Sequence, residues 1–309
     1  MVRSLYQKDM KVLTVVVTHN RSELLERCLD AINLQSDPTQ DLLVINNGST
    51  DDTEEMLSKK NVWFITQENV GSAGGWHTGL QIGLEKRYDA CWLMDDDGYP
   101  HEQALKNLKL NFNQDTACIS SVVLKEDKNS EFVFPFPVLS KNTMPKLFGL
   151  PRKIYTLQKL QDISKNQIYP FAHLFNGALI SMNAVKRIGN VNKDFYLMGD
   201  EVDFFYRLKN YGLVASSLNA YHFHPDVSKR QFNNYKIYFY IKNSFIINSR
   251  YYNAVFLRNI LVIVAIISRV TSRNGLKYLF SILFGSNSKY FYKAIYRGLN
   301  KRIGNDINV

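Results

Sequence analysis

Ala90-Cys-Trp-Leu-Met-Asp-Asp-Asp-Gly98 is the stretch that decides the fold. Five apolar residues with no polar alternation are the pattern of a strand covered on both faces, as in a parallel sheet. The strand then runs directly into three carboxylates and a glycine. The same arrangement, a buried strand ending in a polar cluster, repeats upstream. Lys11-Val-Leu-Thr-Val-Val-Val-Thr18 leads into His19-Asn20, and Asp41-Leu-Leu-Val-Ile45 into Asn46-Asn-Gly-Ser49. Asn61 to Thr66 is a further strand. Between them, Leu24, Leu25, Cys28, Leu29 and Ile32 have helical spacing within Ser22 to Gln35. Ser49 or Thr50 caps a helix running to about Lys59, and Ser72 to Lys86 reads as another. This β-α-β-α-β-α-β order predicts a doubly wound α/β sheet. Ligands of such sheets bind at the carboxyl ends of the strands, where the polar clusters lie.

Downstream the signals are weaker. Residues 125–170 are rich in Lys, Asn and Pro and predict an insertion or flexible loop with room for one short helix. A strand follows at Gly177–Ser181, then a helix near Ala184–Ile188. Glu201 to Tyr211 reads as a helix ended by Gly212, and Val214 to Phe223 as a strand. Beyond Asn233 the pattern is mostly helical, so two domains are expected, at 1–230 and 231–309.

Composition excludes several classes. With 309 residues, 45% hydrophobic, 19 Phe and 18 Tyr, the chain is neither disordered nor fibrous. Cys28, Cys91 and Cys118 lack CxxC spacing and sit among apolar neighbours, which predicts buried thiols of a reducing, cytoplasmic compartment. Met1 to Lys11 has no apolar core and predicts no signal peptide. The net charge of +10 is uneven: residues 229–309 hold 14 Lys and Arg against Asp306 alone, while the first 228 residues sum to −3.

Four elements carry chemistry. Asp95-Asp-Asp97 places three carboxylates together, which repel unless a cation lies among them. Alternation along an extended turn points Asp95 and Asp97 one way and Asp96 the other. That pair suits Mg²⁺ or Mn²⁺ completed by phosphate oxygens; a solvated acidic turn capping the next helix is the alternative. Asn69-Val-Gly-Ser-Ala-Gly-Gly-Trp76 lies between strand and helix, where backbone N–H groups approach a diphosphate closely, or where a plain loop starts a helix. Gly199-Asp-Glu-Val-Asp203 opens a helix with acids, suited to proton acceptance or to capping by Asp200 with an Asp203–Arg207 pair. In Tyr221-His-Phe-His-Pro225, His222 and His224 share one strand face, as metal ligands or as structural histidines.

In this order the set resembles the inverting glycosyltransferases of family 2, which have the GT-A fold: a Rossmann-like, doubly wound mixed sheet, here with a C-terminal helical, basic-apolar extension. The matching pieces are Val17-Thr-His-Asn-Arg21, Val44-Ile-Asn-Asn-Gly-Ser-Thr-Asp51, Asn69 to Gly75, Trp92-Leu-Met-Asp-Asp-Asp97, Asn176-Gly-Ala178, Asp200-Glu-Val-Asp203 and His224. They span about residues 11–250. Leu93 to Asp97, Gly74-Gly-Trp-His77 and Tyr240-Ile-Lys-Asn243 look most like the galactofuranosyltransferase branch, with rhamnosyltransferases as neighbours.

The resemblance implies a divalent metal, Mn²⁺ or Mg²⁺, held by Asp95, Asp97 and His224, with His222 as the rival. It implies Glu201 as catalytic base, with Asp200 able to exchange roles. Donor contacts fall to His19, Asn20, Arg21, Asn46, Asn69, Gly71, Gly74, Gly75 and Asp96. Family members often carry Asp where this chain has Asn46. Trp76, Trp92, His77 and the Phe175-Asn176-Gly177 turn flank the sugars or belong to the core. The implied donor is a nucleoside-diphosphate sugar, UDP-galactofuranose foremost, and the implied acceptor is lipid-linked or a polysaccharide. Another hexosyltransferase, or a non-catalytic nucleotide-sugar-binding protein, is the alternative. No nucleic-acid-binding motif is present.

The basic end predicts docking on the anionic inner face of the cell membrane, with packing on the catalytic domain or self-association through the C-terminal helices as the alternative. Its longest uncharged apolar run, Asn259 to Ser268, is ten residues, short of the ~20 a spanning helix needs. Tyr251, Tyr252, Phe256, Phe280, Phe284, Phe291 and Tyr292 are the expected interfacial aromatics.

Overall fold

The structure, a computed structural model, describes residues 10–38, 41–140, 144–146 and 149–307. Most of Met1–Lys11, on which the N-terminal reading rests, lies outside the described residues.

The first half follows the expected alternation. β1 (Val12–Thr18), β2 (Asp41–Asn47), β3 (Trp63–Gln67) and β4 (Ala90–Asp95) are joined by α1 (Ser22–Asn33), α2 (Thr53–Lys59) and α3 (Gly71–Glu85). β1 is buried at all seven positions because it lies between β2 and β4, both parallel to it, with helices over the faces. α3 packs closely on β1. A Cβ on Gly75 would lie 2.6 Å from Val17 Cγ1, and one on Gly79 would lie 2.4 Å from Val15 Cγ1.

After β5 (Tyr99–Pro100) and α4 (Ala104–Leu110) the sheet becomes mixed. β6 (Thr116–Lys125) and β7 (Lys128–Pro137) form a hairpin, and β7 pairs with β8 (Lys153–Thr156). α5 (Leu157–Ile163) and β9 (Ile168–Tyr169) follow, then β10 (Asn176–Ser181), α6 (Met182–Ile188), α7 (Asp200–Tyr211) and β11 (Leu213–His224). The strand order is β3-β2-β1-β4-β10-β6-β11-β5. β10 is antiparallel to both β4 and β6, while β11 is parallel to β6.

The described residues of 125–170 therefore include strands β7, β8 and β9 and helix α5, contrary to the expected irregular insertion. Their strands are held by a local core of Phe132, Phe136, Ile154, Leu160 and Tyr169 against Val122, Leu124 and Leu218. Leu218 is remote in sequence, and Val122 and Leu124 meet these side chains only across a strand pair, so no local periodicity reports the core.

The C-terminal part is helical: α8 (Asn234–Tyr251), α9 (Val255–Asn274), α10 (Leu276–Phe284) and α11 (Ser288–Leu299). They share a core of Ile237, Tyr238, Phe239, Ile241, Phe245, Ile266, Val270, Ile282, Phe291 and Ala294. The chain divides into two compact units. The first is Met1–Asn69, Gly75–Asn190 and Arg207–Asp226; the second is Val70–Gly74, Val191–Tyr206 and Val227–Val309. The second thus takes in two segments from earlier in the chain.

α9 revises one expectation. At 20 residues and a mean hydropathy of 1.8 over 18 of them, it is long and apolar enough by length and composition to cross a membrane. The ten-residue run undercounted it, because Arg258 and Arg269 interrupt the run without ending the helix.

Candidate active site

In the first unit the end of β1 meets the acidic turn after β4. Thr18 Oγ1 donates to Asp96 Oδ2 at 2.7 Å. Arg21 Nη1 stands 2.8 Å from Asp96 Oδ1 and 2.9 Å from Asp97 Oδ2. Arg27 Nη2 donates to the Asp97 carbonyl at 2.9 Å, and its guanidinium lies over the Tyr99 ring. Asp96 and Asp97 are both buried. Burial pushes the Asp96 carboxyl up, against the pull of Arg21 and the Thr18 hydroxyl. Burial also works against the Arg21 charge, but Asp96 and Asp97 outweigh it and hold its pKa above the ordinary value. One cation thus lets two adjacent carboxylates stay together away from water.

The expected alternation ends at Asp95, the last residue of β4, because Asp96 and Asp97 form a turn. Asp96 and Asp97, not Asp95 and Asp97, share the arginine. The turn caps no helix, since α4 begins only at Ala104.

Of the two histidines, His224 meets the acids: its Nε2 is 2.9 Å from Asp97 Oδ1. Its Nδ1 is 2.7 Å from the Pro225 carbonyl, which can only accept, so Nδ1 carries the proton. A carboxylate oxygen and a ring nitrogen are donor types that a divalent cation accepts, while a ring protonated at Nε2 as well pairs with Asp97 directly. Asp97 and His224 are two groups at this turn that could hold a divalent metal. Among the described residues no group of three His, Cys, Asp or Glu forms a cage by itself. His222 is wholly buried, with neither ring nitrogen hydrogen-bonded, and burial pushes its pKa down to about 3. It is wedged where a Cβ on Gly98 would come within 2.3 Å of its Nε2.

Beside this turn, the ends of β1, β2 and β3 assemble His19, Asn20, Asn46 and Asn69. Asn20 takes a positive φ of 54°, accepts from the Thr50 N–H at 2.6 Å and donates its own N–H to Ser49 Oγ at 2.9 Å. Asn69 Nδ2 is 3.3 Å from His19 Nε2. Asn46 accepts from the Ser49 N–H and donates to Thr66 Oγ1. Asp51, rather than Ser49 or Thr50, starts the following helix, through the Thr53 N–H and hydroxyl.

Other expected contacts are placed differently. Trp76 is buried and stacks on Phe175 with centroids 4.6 Å apart, so it belongs to the core. Asn176 is buried with Oδ1 lacking a hydrogen-bond partner, next to Gly177 in a bulge of β10. His77 is half-buried, and its carbonyl accepts from Asn190. Gly75 serves helix-strand packing. Gly71, Gly74, Asp200 and Glu201 belong to the second unit.

There α7 opens with three acids in different settings. Asp203 is buried and paired, with Arg250 Nη1 at 3.0 Å and the Tyr251 hydroxyl at 2.8 Å. Asp200 is buried, and its Oδ2 has no hydrogen-bond partner. Burial, then the charge of Glu201, pushes its carboxyl up to about 7. Glu201 is half-buried and so reachable from solvent.

Sequence reading did not single out Thr18 or Arg27. Thr18 had a signal, as the last residue of a buried strand. Arg27 had none, since the Asp97 carbonyl it binds is 70 positions away.

The mixed sheet, with acids at the carboxyl ends of its parallel strands, has the GT-A fold. The fold is shared with GalNAc-T7 solved with UDP, GalNAc and Mn²⁺ (TM-score 0.52, 14% identity, 91% of this chain and 58% of that one). It is also shared with residues 1–349 of Staphylococcus aureus TarS (TM-score 0.50, 14% identity, 95% and 90%). The family model described as glycosyl transferase family 2 matches residues 14–176, and the chain belongs to that family. Among its relatives, the galactofuranosyltransferase GlfT1 of Mycolicibacterium smegmatis is 30% identical over 223 residues, 69% of this chain and 70% of that protein. GlfT1 of Mycobacterium tuberculosis is 28% identical over 220 residues, with 69% and 70% covered. The glycosyltransferase GlyA of Streptococcus pneumoniae is 23% identical over 63% of this chain and 29% of its own length.

Proposed function

We propose that this glycosyltransferase moves galactofuranose from UDP-galactofuranose, with inversion, onto a lipid-linked or polysaccharide acceptor in cell-surface glycan synthesis. The observation that carries the sugar is the 30% identity to a galactofuranosyltransferase across more than two thirds of both chains. In this reading His19, Asn20, Asn46 and Asn69 receive the nucleoside, and Arg21 fixes the acidic turn. Asp97 and His224, with Asp95, would hold the divalent cation. When bound, that cation neutralises charge on the departing diphosphate.

The transfer is a single displacement. The acceptor oxygen bonds to the anomeric carbon as the carbon–oxygen bond to the diphosphate breaks. The hydroxyl proton passes to Glu201. Glu201 rather than Asp200 is the acceptor of that proton because Asp200 is buried.

The enzyme works, in this reading, at the cytoplasmic face of the membrane, docked through α9 to α11. Nine of the seventeen exposed large apolar side chains of the described residues lie there. They form rows at Phe256/Ile260/Val264, Leu276/Phe280/Phe284 and Tyr292/Tyr296/Leu299. Phe291 is buried, and Tyr251 and Tyr252 both pack against Tyr206, so these three are not interfacial. No acid occurs between Val227 and Asn305, which favours an anionic lipid surface over a second, equally basic copy. α9 buries Ile266 and Val270 in its own unit, which suits a helix lying in the interface plane.

The test of the donor is nucleotide release with Mn²⁺ from UDP-galactofuranose and from dTDP-rhamnose; turnover of the second alone moves the chain to the rhamnosyl branch. Sedimentation with anionic vesicles at low salt tests docking. Equal binding by the full chain and by a Phe280→Ser/Phe284→Ser variant would contradict it.

A further inference from the structure

The chain reaches Asp200 and Glu201 through Phe195-Tyr-Leu-Met-Gly199, a strap with an unusual backbone. Tyr196, Met198 and Gly199 have φ of +63°, +61° and +90°. Tyrosine and methionine rarely adopt such angles, so surrounding contacts must impose them.

Those contacts come mainly from one side chain. Asn243, wholly buried on α8, directs Nδ2 to three carbonyl oxygens: Phe195 O at 2.9 Å, Leu197 O at 2.9 Å and Met198 O at 2.6 Å. The fourth carbonyl of the run, Tyr196 O, accepts from the Ala73 N–H in the first turn of α3 at 3.2 Å. The carbonyls of residues 195 to 198 are thus each engaged. An amide has only two N–H bonds for Asn243's three acceptors, so one is shared. The amide orientation is fixed, because a flip would set its oxygen against three carbonyls. The fit is close on both sides. A Cβ on Gly199 would lie 2.9 Å from Asn243 Cβ, and one on Gly71 would lie 2.1 Å from Tyr196 O. The Tyr196 ring stacks on Phe239, one helical turn before Asn243.

Asn243 Oδ1 accepts from no donor among the described residues. Its one described polar task is the strap, and the strap ends at the first residue of α7.

We propose that Asn243 is a positioning residue: its amide locks the Phe195–Gly199 strap and thereby sets where the Glu201 carboxylate meets the acceptor hydroxyl. The inference rests on the reading of Glu201 as base. It adds that the base is aimed by a side chain 42 positions away on another helix, through carbonyls rather than through contact with the carboxylate.

The test combines kinetics with amide hydrogen exchange on the full chain, in Asn243→Ala, Asn243→Asp and Glu201→Gln. The aspartate keeps the shape of the side chain but turns an oxygen on the three carbonyls, so it serves where the alanine variant folds poorly. Exchange at residues 196–201 should rise in either Asn243 variant while the β1–β4 strands stay protected. UDP release from UDP-galactofuranose should lose about 100-fold in kcat at unchanged donor KM, the scale expected for a misplaced catalytic group. Asn243→Ala combined with Glu201→Gln should be no slower than Glu201→Gln alone, since both act on one group. Unchanged exchange in the strap, or wild-type kcat in the Asn243 variants while Glu201→Gln is impaired, overturns the positioning role. Wild-type turnover in Glu201→Gln overturns the base itself, and the inference with it.

Discussion

Two acidic clusters sit in this protein; burial pushes both Asp96 and Asp200 up, but only the first has a counter-charge pulling against it. Asp96 and Asp97 are buried but share the Arg21 guanidinium, with His224 at Asp97. Asp200 is buried to the same degree with no such partner at Oδ2, and its carboxyl rises to about 7. Burial alone penalises every carboxylate; a counter-charge decides whether the charge survives. In the first cluster Arg21 offsets part of the burial cost; in the second no group among the described residues does so at Asp200 Oδ2.

Three substitutions bear on that contrast. The largest effect is expected from the proton-accepting side: Glu201→Gln should lose about 10²–10⁴-fold in kcat with donor affinity kept. Were Asp200→Asn inactive and Glu201→Gln normal in the same assay, the two neighbours would exchange roles.

Next comes the charged cluster. Asp97→Ala should lose about 10²–10³-fold in kcat/KM, the scale of removing one preorganised electrostatic group. Mn²⁺ titration of activity should weaken in parallel. Full activity of this variant in the presence of a chelator would remove the metal from the proposal.

The third effect is on stability, and its sign tests what governs Asp200. Asp200 holds its proton in the folded chain up to about 7, whereas the unfolded chain releases it near 3.8. The unfolded state therefore binds fewer protons across that window, and this group's contribution falls as pH rises from about 4 to about 7. Asp200→Asn should then be more stable than wild type at pH 8, by up to roughly 4 kcal/mol, and equal to it near pH 4. Urea unfolding at the two pH values measures this. A loss of stability at pH 8 would mean that a counter-charge, not burial, governs Asp200.

Much of the candidate site was legible beforehand, for a physical reason. Asp95 to Asp97, His19, Asn20 and Asn46 each end a buried strand or follow one directly, and parallel strands must end side by side. Naming the strands therefore gathers the residues. Trp76 was not legible, since an aromatic after a glycine run has the same local pattern whether it faces a sugar or, as here, the Phe175 ring. The glycines misled similarly: Gly75 and Gly79 admit valines of β1, not a phosphate.

Sequence by itself determined the β-α alternation of the first half, the placement of acids at strand ends and the basic, acid-free C-terminal part, because each is a property of neighbouring residues. Only the tertiary structure decided that His224 rather than His222 meets Asp97, that Lys128–Pro137 and Lys153–Thr156 pair as strands, and that Arg27 and Asn243 pin the backbone. These depend on groups tens of residues apart in the chain, where periodicity carries no information and packing alone selects the partner.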